Sequence, residues 1–364
     1  MSVQVSYKKQ IIFGIFLLII LFAITEGVSR TFEIVNPPCH FNNNKVFQGT
    51  PFILQSLICL DSTNIIYDEN DVRKLKPDQH YSTININSHG FRGEEIEMEK
   101  QDDIYRIFVL GGSSAFGIGS TSDQNTIPGY LQQKFDKLKM NNVEVINAGV
   151  GGTISFEEKY FASNYLMNFK PDLFVIFDGA NDVRYRIIDQ ESLINNEEEK
   201  EFKFGNYPFY RTPFVISKLT NLNYYSTDAP QNEIIANDIT EKIVDKYIKN
   251  WSEFCTEQNQ MEVKTIIFLQ PIVGTSNRTL SATDQIIMTY QDVPAELDML
   301  KNMALSLDEL KGVCSNAIDI RNSFDGINMP VFYDQVHVSD FGNEIIADLI
   351  FKNIINTVKT DLKE

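Results

Sequence analysis

The chain has 364 residues, of which 43% are hydrophobic and 12% aromatic, and its formal net charge is −17. A chain of this length and composition can bury a substantial core, which argues against an intrinsically disordered protein. The large negative charge repels phosphates, so nucleic acid is not expected as a partner.

The N-terminal segment predicts a membrane helix. Lys8 and Lys9 precede an unbroken apolar run, Ile11–Ile24, which ends before Glu26. At about 1.5 Å per residue the run is short of a roughly 30 Å hydrocarbon core, but flanking residues can extend it. The absence of a convincing cleavage sequence favours a retained anchor over a cleaved signal, with the lysines inside and the rest of the chain outside. Residues 1–29 are therefore interpreted as a cytoplasmic stub and transmembrane anchor or uncleaved signal.

The four cysteines fit an exported chain, because they can form two disulfides. Cys39–Cys59 and Cys255–Cys314 are the simplest pairings, and free buried thiols are the alternative. The chain contains no C-x-x-C spacing, so it does not predict a zinc site.

Residues 30–103 contain no long periodic segment and are interpreted as an irregular N-terminal extension. Within it, the alternation of Ile84 and Ile86 with polar residues, followed by Gly90 and Gly93, predicts an edge strand and a turn.

From residue 104 onward, short apolar runs predict strands that are buried on both faces. Four runs are clear and a fifth is weaker: Ile104–Leu110, Val143–Asn147, Leu173–Asp178, Thr265–Leu269 and, weakest, Ala317–Ile320.

Helical patterns separate these strands. The segments are 155–168, which a capping box from Ser155 to Glu158 is predicted to open, and 234–254, 295–311 and 340–359. Strands alternating with helices predict a three-layer α/β/α sandwich around a mainly parallel five-stranded sheet, which occupies residues 104–364. In such a sheet the chemistry gathers at the carboxyl ends of the strands.

The alternation stops between about 184 and 235, which predicts an insertion over one end of the sheet. Its aromatic residues line a substrate cleft or form a small packed cap, and the sequence favours neither: Phe202, Phe204, Tyr207, Phe209 and Tyr210.

The first strand runs into the loop GGSSAFGIGS, residues 111–120. The loop lacks the lysine of a phosphate-binding P-loop, the third glycine of a dinucleotide fingerprint and the G-x-S-x-G of a nucleophile elbow. A serine at the carboxyl end of a strand, just before a helix, remains as a candidate nucleophile. Ser113 is preferred, and Ser114 is the alternative.

Three later segments supply partners for such a serine. His337 stands three residues after Asp334, so the carboxylate can orient the imidazole while its other nitrogen faces the serine. His89 lacks an upstream acid at this spacing and is interpreted as structural. Gly152, in NAGVGGT, can offer a backbone N–H, and Asn181, in DGAND, can offer an amide to a developing oxyanion.

Taken together, these segments resemble the four blocks of the SGNH (GDSL-like) hydrolases, in the same chain order, over residues 104–355. The resemblance implies a flavodoxin-like sandwich with Ser113 as nucleophile, His337 as base and Asp334 as its partner. It implies oxyanion donors at Ser113, Gly152 and Asn181, and it implies no metal or cofactor. Gly112 stands where the family usually has aspartate, which leaves the loop more flexible.

The expected function is that of a membrane-anchored, extracytoplasmic serine ester hydrolase. It would remove O-acetyl or other short acyl groups from carbohydrate or lipid esters through an acyl-enzyme. Two alternatives use the same fold: an O-acyltransferase acting on envelope glycans with the same residues, and a non-catalytic glycan-binding scaffold. The sequence does not indicate an oligomeric state.

Overall fold

The computed structural model describes residues 6–36, 39, 44–68, 72–185, 212, 215, 237–290 and 293–363. The aromatic residues predicted to form a cleft wall or a cap lie outside the described residues.

Five parallel strands form the central sheet, and all five were predicted to within one residue at each end. The nine strands of the described chain are β1 Tyr67–Asp68, β2 Lys74–Leu75, β3 Gln79–His80, β4 Asn85–Ile86, β5 Tyr105–Leu110, β6 Val143–Asn147, β7 Leu173–Asp178, β8 Lys264–Leu269 and β9 Asn316–Asp319. The order in the central sheet is β6-β5-β7-β8-β9, so β5 lies between β6 and β7.

Helices cover both faces of this sheet. The helices of the described chain are α1 Tyr7–Val35, α2 Phe52–Asn64, α3 Ser113–Phe116, α4 Ile127–Lys137, α5 Ser155–Asn164, α6 Ala180–Tyr185, α7 Asn237–Gln260, α8 Ala282–Ile287, α9 Val293–Ser306 and α10 Asp340–Leu362. Successive side chains of a strand point to opposite faces, so β5 contributes side chains to two separate hydrophobic cores. Phe108 packs with residues of α5, α7 and α9, whereas Val109 packs with residues of α4 and α10. The predicted three-layer sandwich is confirmed.

Helix α5 begins differently from the prediction. Its N-cap is Ile154, whose N–H donates to the Glu157 carboxylate (3.2 Å). The Ser155 hydroxyl does not cap the helix, because it donates to the buried Asp182 carboxylate at 2.5 Å. The predicted Ser155–Glu158 capping box is therefore wrong by one residue, and a tertiary partner for Ser155 is the reason.

The N-terminal extension is more regular than its sequence indicates. It contains α2 and two antiparallel ladders, β1–β2 and β3–β4. Arg92 joins it to the edge of the central sheet through its N–H, which donates to Asn147 O (3.1 Å). The fully buried Arg92 side chain pairs with Asp123 (2.7 Å) and donates to Gly117 O (2.8 Å). The extension is thus fastened to the loop that follows α3.

Helix α1 is the one described helix that is long and apolar enough to cross a membrane, with a mean hydropathy of 2.7 in its most apolar window. Its 29 residues span about 43 Å. The helix continues past the apolar run, and there Glu26 accepts from the Thr212 N–H and hydroxyl, both at 3.2 Å. The first part of α1 is exposed, and its last turns contact the protein.

Both simplest cysteine pairings are confirmed. Cys39–Cys59 and Cys255–Cys314 are disulfides, with Cα–Cα distances of 5.7 and 5.0 Å. No cysteine is free. Two disulfides are typical of a protein that folds in an oxidising compartment.

Candidate active site

The candidate residues meet at the carboxyl ends of three neighbouring strands. Leu110, the last residue of β5, pairs with Ile176 of β7, and Val109 pairs with Asn147, the last residue of β6. The loops that follow these strands therefore leave the sheet at a similar level. Because β5 is central among them, its loop carries Ser113 between the loops that carry Gly152 and Asn181.

Ser113, His337 and Asp334 form one hydrogen-bonded chain. Ser113 Oγ lies 2.7 Å from His337 Nε2, and His337 Nδ1 lies 2.6 Å from Asp334 Oδ2. A carboxylate only accepts, so Nδ1 carries the proton and Nε2 is left to accept the serine proton. The arrangement can therefore deprotonate Ser113 Oγ as it attacks a carbonyl.

Asp334 also shapes the loop that bears the histidine. Its Oδ1 accepts the N–H groups of Val336 (2.9 Å) and His337 (2.8 Å), while Oδ2 serves the imidazole. Burial acts to raise the pKa of the Asp334 carboxyl, but the charge and hydrogen bonds of His337, with the Val336 N–H, lower it below its ordinary value. Asp334 is therefore a carboxylate at neutral pH.

Tyr333 supports the imidazole from one side. Its ring stacks on that of His337 at 5.6 Å with an interplanar angle of 11°, and its hydroxyl donates to Ile118 O (2.8 Å). A side chain at Gly119 would lie 2.3 Å from the Tyr333 ring, so only glycine fits there. The sequence predicted no role for Tyr333, since a tyrosine beside a motif is common and no periodicity marks it.

Ser114 lies apart from the imidazole. It is buried, and its hydroxyl donates to Val336 O at 3.2 Å. The geometry therefore brings His337 to Ser113 and assigns Ser114 to the packing of the histidine loop.

The Asn181 side chain occupies the space next to Gly112. Asn181 Nδ2 donates to Thr153 O at 2.7 Å, and a β-carbon at position 112 would lie 2.3 Å from that same nitrogen. Gly112 has an ordinary φ of −73°. A glycine is required at position 112 because a larger residue would collide with Asn181. The sequence had suggested only that this glycine makes the loop more flexible.

The sequence predicted two backbone oxyanion donors, the N–H groups of Ser113 and Gly152. Gly152 has φ +83°, a left-handed conformation that favours glycine. In the part of the chain that the structure describes, neither the Gly152 N–H nor the Ser113 N–H has an acceptor. Both are therefore available to a ligand.

A hairpin of the N-terminal extension contacts the same loop. Arg73 Nη1 donates to Gly151 O (2.9 Å), and the Arg73 guanidinium lies 4.3 Å from the centre of the Tyr67 ring. A β-carbon on Gly151 would lie 2.6 Å from Tyr67 Oη and 3.9 Å from Ser113 Cβ. The extension thus forms one side of the site, which no sequence motif indicated.

Arg184 and His89, which are not among the predicted site residues, have partners within the protein. Arg184 donates to the Gln335 side chain, which in turn donates to Glu296. His89 Nε2 lies 3.1 Å from Ile96 O, and its ring packs against Phe169. These contacts fit structural roles.

Three buried carboxyls lie behind the Asn181 loop. Burial raises the pKa of Asp178 and of Glu158 well above their ordinary values, and it raises that of Asp182 to about 6. Both Asp178 carboxyl oxygens are buried without a hydrogen-bond partner among the described residues. Within the same part of the chain, no group of three or more His, Cys, Asp or Glu side chains is arranged to hold a metal ion.

No family model and no curated protein matches the chain. Among solved structures, it is similar to the acetyl xylan esterase AlAXEase (17% identity, TM-score 0.40), covering 68% of this chain and 99% of that one. It is also similar to a catalytic mutant of Axe2, an acetylxylan esterase from Geobacillus stearothermophilus (14%, TM-score 0.43, 70% and 96% covered). A third is a putative acylhydrolase from Bacteroides fragilis (16%, TM-score 0.39, 72% and 92% covered).

Proposed function

We propose that the protein is a serine ester hydrolase of SGNH type, with Ser113 as its nucleophile. The observation that carries this proposal is the hydrogen-bonded chain from Ser113 Oγ through His337 to Asp334, at 2.7 and 2.6 Å. A chain of this kind activates a hydroxyl that is otherwise a weak nucleophile.

In the first half-reaction, Ser113 Oγ attacks the acyl carbon while its proton passes to His337 Nε2. The carbonyl oxygen becomes an oxyanion, which the N–H groups of Ser113 and Gly152 and the Asn181 amide stabilise. An amide nitrogen has two hydrogens, so Asn181 keeps one for the oxyanion while the other holds Thr153 O. Collapse of the intermediate breaks the ester C–O bond, and His337 returns the proton to the departing alcohol.

In the second half-reaction, a water attacks the acyl carbon as His337 takes its proton. The second tetrahedral intermediate expels Ser113 Oγ, which recovers a proton from His337, and the carboxylic acid leaves. The cycle uses water as its only co-reactant.

The substrates we propose are short acyl esters, above all O-acetyl groups, on carbohydrates or lipids of the cell envelope. This class follows from the sequence resemblance and from the proposed position of the domain on the outer side of the membrane. That position is supported by the apolar helix α1, by Lys8 and Lys9 before it, and by two disulfides.

Hydrolysis of p-nitrophenyl acetate by the full chain in detergent tests the activity. Ser113→Ala and His337→Ala should each lose at least about 10³-fold in kcat. Ser114→Ala is the matched control in the same loop and should stay within a fewfold of wild type. Equal rates for wild type and Ser113→Ala would remove the proposal.

Labelling of single added cysteines tests the topology. In intact cells, a membrane-impermeant maleimide should modify a Lys352→Cys variant on the exposed side of α10. It should modify Ser2→Cys only after permeabilisation. The reverse pattern would place the domain in the cytoplasm.

A further inference from the structure

We propose that Arg73, from the N-terminal extension, is a positioning residue that aims and strengthens the Gly152 N–H as an oxyanion donor. This proposal rests on the proposed function, in which Gly152 binds the oxyanion. It assigns a role to the extension, for which the sequence suggested none.

The argument begins with one peptide group. Arg73 Nη1 donates to Gly151 O at 2.9 Å, and that carbonyl shares its peptide plane with the Gly152 N–H. A trans peptide is planar, and its C=O and N–H point in opposite directions. A cation that holds the carbonyl therefore also fixes the direction of the N–H.

The same contact changes the strength of the donor. A guanidinium hydrogen bond is charge-assisted and draws electron density toward the carbonyl oxygen. Hydrogen bonds in a chain polarise one another, so the Gly152 N–H becomes a better donor. Its partner in the reaction is an oxyanion that gains its charge in the transition state, so the effect is expected in kcat more than in KM.

Arg73 is itself held in place from two sides. The guanidinium lies over the Tyr67 ring at 4.3 Å. Burial raises the pKa of the Glu157 carboxyl, and the charge of Arg73 nearby opposes that rise. Glu157 also accepts from the Ile154 N–H, in the segment that follows Gly152. The β1–β2 pairing of Tyr67 with Leu75 completes the frame.

A side chain at Gly151 would require the Tyr67 side chain to shift. A β-carbon there would lie 2.6 Å from Tyr67 Oη, on the same side as Ser113 Cβ at 3.9 Å. The extension therefore lies next to the peptide group that the proposal concerns.

Kinetics of the full chain in detergent provide the first test. Arg73→Met should lower kcat about tenfold while KM changes less than twofold, a smaller loss than the 10²–10³ of removing a donor outright. Arg73→Lys should recover part of the loss, because an ammonium still reaches an oxygen as a point charge. Lys74→Met is the matched control: it removes the neighbouring cation, whose ion pair with Asp68 is 3.9 Å long, and should leave kcat unchanged.

Nuclear magnetic resonance provides a second test that does not depend on activity. The chain has two Gly-Gly pairs, 111–112 and 151–152. Glycine labelled with carbonyl ¹³C and ¹⁵N therefore gives two carbon–nitrogen correlated amide signals. Arg73→Met should move the Gly152 signal and leave that of Gly112, whose preceding carbonyl accepts from the Val150 N–H, in place.

The outcomes separate the two proposals. An inactive wild type, or an active Ser113→Ala variant, would overturn the proposed function, and the Gly152 signal would still report on the peptide contact. A Ser113-dependent activity with kcat unchanged in Arg73→Met would overturn the role of Arg73 alone. If Lys74→Met lowers kcat as much as Arg73→Met does, and the Gly152 signal does not move, Arg73 only stabilises the β1–β2 hairpin and the proposed positioning role is overturned.

Discussion

Two parts of the molecule meet at the candidate site, and they are built in different ways. The sheet domain brings Ser113, Gly152 and Asn181 from the ends of adjacent parallel strands, whose register is set by continuous backbone pairing. The extension reaches the same place with two-residue strands, one guanidinium and one phenol ring. The proposed reacting groups thus belong to a repeated architecture, whereas the residues of the extension reach the site through isolated contacts.

This difference predicts how substitutions in the two regions should affect the reaction. A change in the sheet domain should remove a step of the reaction, and a change in the extension should tune it. The following predictions, from the largest expected effect to the smallest, would break or sharpen that contrast.

Asp334→Asn should lower kcat by about 10⁴-fold while the protein stays folded. The amide can still accept the loop N–H groups at one oxygen, but its nitrogen would turn the imidazole to the wrong tautomer. The comparison is between esterase rates and circular dichroism spectra of the variant and wild type. A loss below tenfold would mean that Asp334 acts only in the loop.

Asn181→Ala should lower kcat by 10²–10³-fold, or about 3–4 kcal/mol of barrier. Gly112→Ala should produce a similar loss. The new β-carbon would lie 2.3 Å from Asn181 Nδ2 and would displace that amide group. The double variant should be no worse than Asn181→Ala, since both changes remove the same donor. Additive losses in the double-mutant cycle would separate Gly112 from Asn181.

Removing each disulfide in turn compares how far the stability of the two regions depends on a cross-link. Cys255–Cys314 closes a separation of 59 residues in the sheet domain, and Cys39–Cys59 closes 20 in the extension. From loop entropy alone, replacing the cysteines in pairs by alanine should cost about 4 and about 3 kcal/mol. Thermal unfolding in detergent measures both, and a larger loss for Cys39–Cys59 would make the extension the more dependent on its cross-link.

Asp178→Asn should stabilise the protein, by on the order of 1–3 kcal/mol, and more at pH 8 than at pH 5. Burial raises the pKa of Asp178, so the folded wild type binds more protons than the unfolded chain above about pH 4. Its free energy of unfolding therefore falls as the pH rises, and the asparagine variant lacks that loss. A difference in melting temperature that shrinks with rising pH would have the opposite sign and contradict the assignment.

The local sequence pattern was sufficient to predict the strands of the central parallel sheet. The five central strands were predicted because each is an apolar run that is buried on both faces. The two disulfides match the simplest pairings, but the sequence had left free thiols as an alternative. The capping box failed at Ser155, whose hydroxyl has a better partner in Asp182, a residue 27 positions away. No local signal announces such a competitor.

The sequence by itself determined the five central strands, four of the helices that pack on them, the parallel sheet, the membrane-type helix and the identity of the residues at the strand ends. Hydrophobic periodicity and chain order encode these features directly. Only the tertiary structure decided that Ser113 rather than Ser114 lies at His337, that Gly112 leaves room for Asn181, and that Arg73 holds the Gly151 carbonyl. Each of these depends on where two distant segments come within a few ångströms, and that distance is set by the packing of the whole chain.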